Sequence, residues 1–216
     1  MDGNGYSGGN LQETLVYEHD FSRGMEGWTV EGAAAAVIAD NRLVIDTTIT
    51  ETPGATVWCG REFSGNMRFS YHAGILQPVL RSNMNAFVFF QDEALPPEAL
   101  AERIKTADYG LYHEHSTYIF TYLTENDALR VRMRKCPGFN LTCENRPEGT
   151  LEADTMYRFD IIHYEGWFSF RVNGAEVLSY QDKGVPQAVG RFGFRTWNTK
   201  MWWSDFKAYR LTTAST

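Results

Sequence analysis

Apolar residues alternate with polar ones in short runs along most of this chain, and turn-forming residues separate the runs. Residues 117–123 and 129–135 alternate in this way on either side of Glu125-Asn126-Asp127. Residues 167–172 and 175–180 do so around Asn173-Gly174, a dipeptide typical of tight hairpin turns. A period of two residues predicts half-buried β-strands, because successive side chains point to opposite faces. The pattern predicts an all-β jelly-roll β-sandwich of two antiparallel sheets.

One stretch breaks the alternation and predicts a short helix. Pro96 and Pro97 precede residues 98–105, in which Leu100 and Ile104 are spaced to share one helical face. Proline is favoured in the first turn of a helix, where its missing N–H is not needed. We expect this single helix to be an insertion at the rim of a sheet.

The length of 216 residues suits one sandwich domain with a single core. Residues 1–14 include a polar, glycine-rich stretch, so we expect a flexible leader and folded structure from about Leu15 onwards. Residues 15–212 then form the domain, and residues 213–216 form a short tail.

The middle hairpin has two chemically different faces. Its first strand places three aromatic side chains on one face: Tyr118, Phe120 and Tyr122. Its second strand places three guanidiniums opposite the apolar residues Leu129, Val131 and Met133: Arg130, Arg132 and Arg134. Two interpretations of this arginine row stay open. It is either a solvated face paired with acidic residues or a strip that binds carboxylates through the forked guanidinium.

Aromatic residues make up 14% of the chain, with six Trp and eleven Tyr, which is more than packing alone requires. Of the adjacent Trp202 and Trp203, one must face the core and the other is a candidate platform for a sugar ring. Alternation also places Trp197 on one face with Arg191 and Arg195, an aromatic surface beside two cations.

The formal net charge of -7 argues against nucleic acid or an anionic membrane as a partner, since both require a basic field. No run approaches the roughly 20 apolar residues of a membrane span, and the first ten residues lack the apolar core of a secretory signal. We therefore expect a cytoplasmic protein, or a secreted one whose signal has been removed. Three cysteines leave one local bridge open, between Cys136 and Cys143.

Several short motifs resemble the YesU-type galectin-like jelly rolls, over residues 17–211. They are Tyr109-x-x-Tyr112-His113, Arg134-Lys135 followed by Gly138-Phe139, Tyr157-Arg158, Asn173-Gly174, Gly193-Phe194-Arg195 and Asp205-Phe206. The resemblance implies a concanavalin-like fold and an association with rhamnogalacturonan or other uronate-containing glycans. A related group of jelly rolls has a carboxylate where this chain has Asn83, which argues against an acid or metal ligand there. The resemblance carries no catalytic assignment.

The candidate chemistry is β-elimination on a uronate, which needs a cation to neutralise the carboxylate, a base and an acid. If residues 113–115 are extended, His113 and His115 share a face close to Tyr109 and the arginine row. We assign His113 as base, Tyr112 as acid and Arg134 as the catalytic carboxylate partner, with Arg132 as its alternative and Asn85 as a further contact to the carboxylate. The remaining candidate substrate contacts are Arg81, Asn85, Tyr109, Arg132, His115, Arg195 and Trp197.

Other functions stay open. A galectin-like protein would bind an oligo- or polysaccharide without chemistry, and a glycoside hydrolase would use dispersed carboxylates, since no Glu-x-Asp-x-x-Glu run is present. The His113-x-His115 spacing also suits a metal, with a third ligand from His72, His163 or an acidic residue elsewhere in the chain. We expect no required cofactor; calcium would suit the fold, yet no Asp-rich loop calls for it. The sequence does not set the oligomeric state.

Overall fold

The computed structural model describes residues 11–32, 34–51, 54–78, 82–92 and 95–213. The first strands are β1 (Leu11–His19), β2 (Trp28–Glu31), β3 (Ala35–Ala39), β4 (Arg42–Asp46), β5 (Gly54–Ser64), β6 (Met67–Gln77) and β7 (Asn83–Phe90). Helix α1 (Pro97–Thr106) and a 3-10 helix (Tyr109–Tyr112) follow. The remaining strands are β8 (Thr117–Glu125), β9 (Ala128–Cys136), β10 (Asn140–Asn145), β11 (Tyr157–Tyr164), β12 (Trp167–Val172), β13 (Ala175–Gln181), β14 (Val189–Trp197) and β15 (Lys200–Thr213).

The strands form two antiparallel sheets, which confirms the predicted jelly-roll β-sandwich. The seven-stranded sheet has the order β10-β9-β8-β7-β14-β5-β2. The eight-stranded sheet has the order β13-β12-β11-β6-β15-β4-β3, and β1 pairs with the later part of β15. The first strand begins at Leu11, ahead of the predicted start near Leu15. Residues 1–10 and 214–216, which belong to the predicted leader and tail, lie outside the described residues.

The main core fills the space between the sheets with aromatic rings. Phe69, Phe192 and Phe206 are fully buried there, and their ring centroids lie 4.7–6.3 Å apart. The three aromatic side chains that alternation placed on one face of the middle hairpin, Tyr118, Phe120 and Tyr122, all belong to this core. Burying such rings supplies much of the free energy that stabilises a sandwich.

The Trp202-Trp203 pair divides between the two faces of its sheet, but neither ring is an exposed platform. Trp203 packs in the main core. Trp202 points the other way and is only 2% exposed, because the Arg42 guanidinium lies 4.2 Å from its ring centroid and Gly74 lies directly against it. The expectation that the outward tryptophan would be open to a sugar is therefore wrong.

The three cysteines are free, and the geometry excludes the bridge between Cys136 and Cys143. Cys136 belongs to a small cluster on the outer face of the seven-stranded sheet, whereas Cys143 packs against the main core on the other face. Two side chains on opposite faces of a sheet cannot be joined without moving the backbone.

Helix α1 forms where the sequence predicts it, but the residue that it buries is Arg103. Ile104 is 48% exposed, whereas Arg103 is 1% exposed. The Arg103 guanidinium donates to Glu31 Oε1 at 3.0 Å and to Asp92 Oδ1 at 2.8 Å, and it lies 3.5 Å from His115 Nε2. Neither helix in the described part of the chain is long and apolar enough to cross a bilayer.

Replacing Arg103 by alanine should destabilise the fold strongly, because Glu31 would remain buried without its cation. We expect a loss of about 3 kcal/mol in the free energy of unfolding, measured by urea titration. Lys105→Ala, an exposed change on the same helix, is the control and should stay within about 0.5 kcal/mol of wild type. Equal stabilities for the two variants would contradict this role for Arg103.

Candidate functional site

A row of polar side chains crosses the outer face of the seven-stranded sheet. Direct register pairs link one residue from each strand, and residues directly opposite each other share a face. From β2 to β10 the row is Glu31, Thr56, Arg195, Asn85, Thr121, Arg132 and Glu144. The neighbouring row is apolar in its middle, where it includes Trp58, Phe87 and Ile119. The polar row therefore holds the candidate site residues on this face.

Arg195 occupies the middle of this row and is 2% exposed. Its Nη2 donates to the Ala107 carbonyl at 3.1 Å, and its guanidinium carbon lies 4.2 Å from the Tyr109 ring centroid. Its Nε has no hydrogen-bond partner, and none of the described carboxylates forms an ion pair with it. Desolvation lowers the pKa of Arg195, with the nearby Asp108 carboxylate acting in the other direction. Arg195 is thus a buried cation without an ion-paired carboxylate in the described part of the chain.

Asn85 lies beside Arg195 on the neighbouring strand and is also 2% exposed. Neither its amide nitrogen nor its amide oxygen has a hydrogen-bond partner. Thr121, on the far side of Asn85, lies near the Tyr109 side chain. Buried amides are normally hydrogen-bonded, so the unpartnered amide of Asn85 next to Arg195 is an unusual feature of this sheet face.

The segment after α1 holds Arg195 in place through a close backbone approach. Ala107 ends α1 in the left-handed conformation at φ 46°, and its carbonyl turns towards Arg195. On β5, Gly54 makes room for both groups, because a Cβ there would lie 2.9 Å from the Ala107 oxygen and 2.9 Å from Arg195 Nη2. Asp108 then caps the 3-10 helix by accepting from the Gly110 N–H at 2.8 Å.

An open hollow of about 360 Å³ reaches Arg195 from the surface. Its lining includes Glu51, Gly54, Asp108, Tyr109, Arg195 and Trp197. Trp197 is 41% exposed, whereas the other five tryptophans are at most 9% exposed. The hollow therefore combines one open aromatic surface, one buried guanidinium and two carboxylates. Three of the predicted contacts, Tyr109, Arg195 and Trp197, meet here.

His113 and Arg134 lie close together, on either side of Phe139. The His113 ring stacks on Phe139 with centroids 3.6 Å apart, and the Arg134 guanidinium lies 4.0 Å from the centroid of the same ring. The rings of His113 and Tyr109 are in edge-to-face contact, with centroids 4.5 Å apart. Burial and then the charges of Arg195 and Arg134 lower the pKa of His113 from 6.5 to about 4, so it is neutral near pH 7.

Tyr112 and His115 are not brought to the hollow. The segment before β8 is a 3-10 helix followed by a turn rather than the extended chain that the sequence argument assumed. Tyr112 is fully buried, its hydroxyl donates to Glu31 Oε2 at 2.7 Å, and burial raises its pKa strongly. His115 is 2% exposed and lies beside Arg103 under α1. Both side chains hold the segment on the sheet.

The arginine row of β9 is largely paired. Arg130 and Arg132 both donate through Nε to Glu144, at 2.8 and 2.9 Å, and Glu125 pairs with both. Arg134 donates instead to the Phe139 carbonyl at 3.0 Å. The solvated-face interpretation therefore describes Arg130 and Arg132, and Arg132 is committed to its carboxylates rather than to the hollow.

The other predicted residues have mixed placements. Arg191 shares the outer face with Arg195, as predicted, but pairs with Asp92 and lies 5.0 Å from the Trp58 ring centroid. Arg81 lies outside the described residues. In the described ranges, no three His, Cys, Asp or Glu side chains are placed to hold a metal, so the His113 and His115 spacing finds no third ligand.

Sequence analysis missed the residues that shape the hollow from distant segments. Gly54 and Ala107 act through their backbones, and Asp108 is a helix cap. The Pro53-Gly54 turn signal and the Asp108 cap position are visible in the sequence, but nothing in it indicates that the two segments meet.

Comparison with known proteins identifies relatives of this chain. The family model described as a domain of unknown function, DUF6250, matches residues 49–206. A Bacillus subtilis (strain 168) protein, described as uncharacterized protein YesU, is 25% identical over 188 residues, which cover 79% of this chain and 83% of that protein. These matches bear out the YesU-type resemblance.

Solved structures share the fold. A Bacillus subtilis protein of unknown function with a galectin-like fold has a TM-score of 0.80 at 20% identity, covering 94% of this chain and 100% of that one. The exoplasmic/lumenal domain of VIP36, bound to Ca2+ and Man3GlcNAc, has a TM-score of 0.66 at 10% identity, covering 94% and 93%. The carbohydrate binding module CBM66 from Bacillus subtilis scores 0.57 at 12% identity, covering 83% and 93%. At these identities the likeness concerns the fold.

The lowered pKa of His113 should make the protein less stable in mild acid. The unfolded chain binds a proton at this histidine near pH 6.5, and the folded chain does so only near pH 4. Protonation therefore favours the unfolded chain, so the contribution of His113 to the free energy of unfolding is complete above pH 6.5 and decreases as the pH falls towards 4. The ring is partly exposed, so we expect a discounted effect of about 1 kcal/mol.

Urea titrations of wild type and His113→Gln at a series of pH values measure this contribution. Wild type should lose more stability than the variant between pH 6.5 and 4, because glutamine does not titrate. The difference between the two proteins removes the effects of His19 and His163, whose pKa values burial also lowers. Parallel stability curves would show that His113 is not held neutral by its surroundings.

Proposed function

The chain belongs to the DUF6250 family, whose model matches well over half of it, and we propose that it binds an acidic saccharide in the hollow beside Arg195. The observation that carries this proposal is the buried Arg195 guanidinium, which has an unpartnered Nε and no ion-paired carboxylate among the described residues. A carboxylate is the natural partner for the forked guanidinium. A uronate would bring that group.

Trp197 gives the hollow its second means of holding a sugar. Its ring is the exposed aromatic surface of the site, and it comes from the same strand as Arg195, two residues further on. Residues two apart on a strand share a face, so a sugar ring stacked on Trp197 has its substituents close to Arg195. Tyr109 closes the hollow on the side of the 3-10 helix.

Two carboxylates at the hollow, Glu51 and Asp108, repel an acidic ligand, while Arg195 attracts it. Binding depends on which of the two electrostatic energies is larger. Both residues are exposed, and two unit charges 4 Å apart in water interact by only about 1 kcal/mol. The Arg195 guanidinium is desolvated, and its attraction for a carboxylate is several times larger at the lower dielectric constant near a protein surface. Glu51 and Asp108 then accept hydrogen bonds from sugar hydroxyls.

Proteins of similar fold support a carbohydrate ligand. One is a carbohydrate binding module and another was solved with a mannose-containing oligosaccharide. The YesU-type resemblance adds the expectation of rhamnogalacturonan or another uronate-containing glycan. The acidic sugar is the part of the proposal that rests on Arg195 itself.

A second candidate function is β-elimination on the bound uronate, with His113 as base. The observation in its favour is that His113 is neutral near pH 7 and its Nε2 has no hydrogen-bond partner. Arg195 would neutralise the carboxylate and acidify the neighbouring C–H bond. Tyr109 contacts both His113 and Arg195, and so replaces Tyr112 as the tyrosine nearest to this chemistry. The charge of Arg134 would then help to keep His113 neutral, and both side chains contact the Phe139 ring.

Trp197→Ala should weaken saccharide binding about tenfold, because a stacking surface is lost. Binding of uronate oligosaccharides is measured by calorimetry, and wild type should also show a change in tryptophan fluorescence that Trp197→Phe lacks. Val185→Ala is the control for an exposed apolar side chain and should bind as wild type does. Undiminished binding by Trp197→Ala would contradict the proposal that the saccharide binds in this hollow.

Arg195→Gln should reduce binding of uronates much more than binding of the matching neutral sugars. Arg146→Gln, an exposed arginine paired only at the surface, is the matched control. Circular dichroism and urea titration verify that each variant is folded. An equal loss for neutral and acidic sugars would contradict carboxylate recognition by Arg195.

Elimination is tested separately, by the ultraviolet absorbance of an unsaturated uronic product. If His113 is the base, wild type produces this absorbance and His113→Gln does so at least a hundredfold more slowly. New reducing ends without the absorbance would indicate hydrolysis. Binding without either product would leave the protein as a galectin-like binder.

A further inference from the structure

A second hollow, of about 320 Å³, shares Trp197 with the first. Its lining includes Ser82, Asn83, Leu123, Thr124, Glu125 and Trp197. The residues come from the start of β7 and the end of β8, two neighbouring strands of the seven-stranded sheet, with Asn83 directly opposite Leu123. Trp197 thus stands at the boundary of two adjoining hollows at one end of this sheet.

Three of the residues that line this second hollow each have a buried polar atom without a hydrogen-bond partner. Ser82 Oγ, Asn83 Oδ1 and Thr124 Oγ1 have no hydrogen-bond partner, and Ser82 and Thr124 are each 1% exposed. Unpartnered buried hydroxyls are rare because each loses its hydrogen bonds to water. Three of them in one small hollow indicate a surface that is completed by a ligand.

The charge of the second hollow differs from that of the first. The charged group in its described lining is Glu125, and that carboxylate already pairs with Arg130 and Arg132. Arg195 and its unsatisfied guanidinium line the first hollow only. Hydroxyl and amide oxygens beside an acid suit sugar hydroxyls, and they offer no cation to a second carboxylate.

We propose that the second hollow is a subsite for a neutral sugar unit, next to the subsite for the acidic unit and separated from it by Trp197. The inference rests on the proposed function, which it deepens by naming the ligand as a uronate joined to a neutral sugar. Ser82 and Thr124 exchange hydrogen bonds with the hydroxyls of this unit, and Asn83 Oδ1 accepts one. The shortest ligand that fills the site has two sugar units.

Thr124 provides a test that separates binding from folding. Valine has the shape of threonine without the hydroxyl, so Thr124→Val removes a buried group that has no partner in the free protein. The variant should unfold at the same temperature as wild type or higher, while binding the two-unit ligand more weakly. Stability gained together with affinity lost is the behaviour of a polar group kept for a ligand.

The experiment is calorimetric titration of wild type, Thr124→Val and Ser82→Ala with three probes. The probes are D-glucuronate, a disaccharide of glucuronate and a neutral hexose, and a disaccharide of two glucuronates. Thr196→Val is the matched control, because its hydroxyl is also buried without a partner but Thr196 does not line this hollow. Wild type should bind the mixed disaccharide more than tenfold tighter than D-glucuronate, and tighter than the diuronate.

The two hollow variants should each bind the mixed disaccharide about fivefold more weakly and D-glucuronate as wild type does. Unchanged disaccharide binding by both variants, or a preference of wild type for the diuronate, would overturn the neutral subsite while leaving the acidic one. Failure of the proposed acidic site looks different. In that case D-glucuronate does not bind, and weaker binding of the mixed disaccharide by Thr124→Val than by wild type supports the second subsite by itself.

Discussion

The buried ion pairs of Arg103 hold the outer face of the seven-stranded sheet in its present form. Glu31 comes from the edge strand β2 and Asp92 from the chain after β7, so one guanidinium joins α1 to both regions. The same Glu31 accepts from Tyr112, which fixes the 3-10 helix. Since a buried pair costs desolvation, its net contribution to stability is small, but loss of one partner is expensive. The network thus specifies where the segment between β7 and β8 lies.

That placement determines the chemistry of the face. With α1 seated, Ala107 turns its carbonyl to Arg195 and Tyr109 covers the guanidinium, while Gly54 leaves the space that both require. The result is a cation that is buried, incompletely bonded and reached through one hollow. Arg103 and Arg195 therefore differ in their pairing although both are nearly inaccessible. Arg103 forms ion pairs with Glu31 and Asp92, whereas Arg195 has no ion-paired carboxylate among the described residues and, in our proposal, binds that of a ligand.

The sequence predicted the sandwich and part of the site for the same reason, which is strand alternation. A period of two residues placed Arg195 and Trp197 on one face, and placed Tyr118 and Phe120 together on the face that packs in the core. It was wrong about Tyr112 and His115 because those residues precede the strand and sit in a 3-10 turn. Alternation does not apply there.

Other features were beyond sequence reasoning because they depend on contacts between distant segments. Helix α1 was predicted, but its apolar spacing indicated that Leu100 and Ile104 would share the packed face. The buried residue is Arg103, and the carboxylates that pair with it come from other parts of the chain. Gly54 resembles any turn glycine until Ala107 is packed against it. The pairing of the β9 arginines depends likewise on Glu144 from the next strand.

A crystal structure with a uronate-containing oligosaccharide would show whether Arg195 binds the acidic sugar. We predict a sugar ring stacked on Trp197 and a carboxylate within hydrogen-bond distance of the Arg195 guanidinium. A saccharide bound on the outer face of the eight-stranded sheet, or one in the hollow with its carboxylate turned away from Arg195, would contradict this prediction.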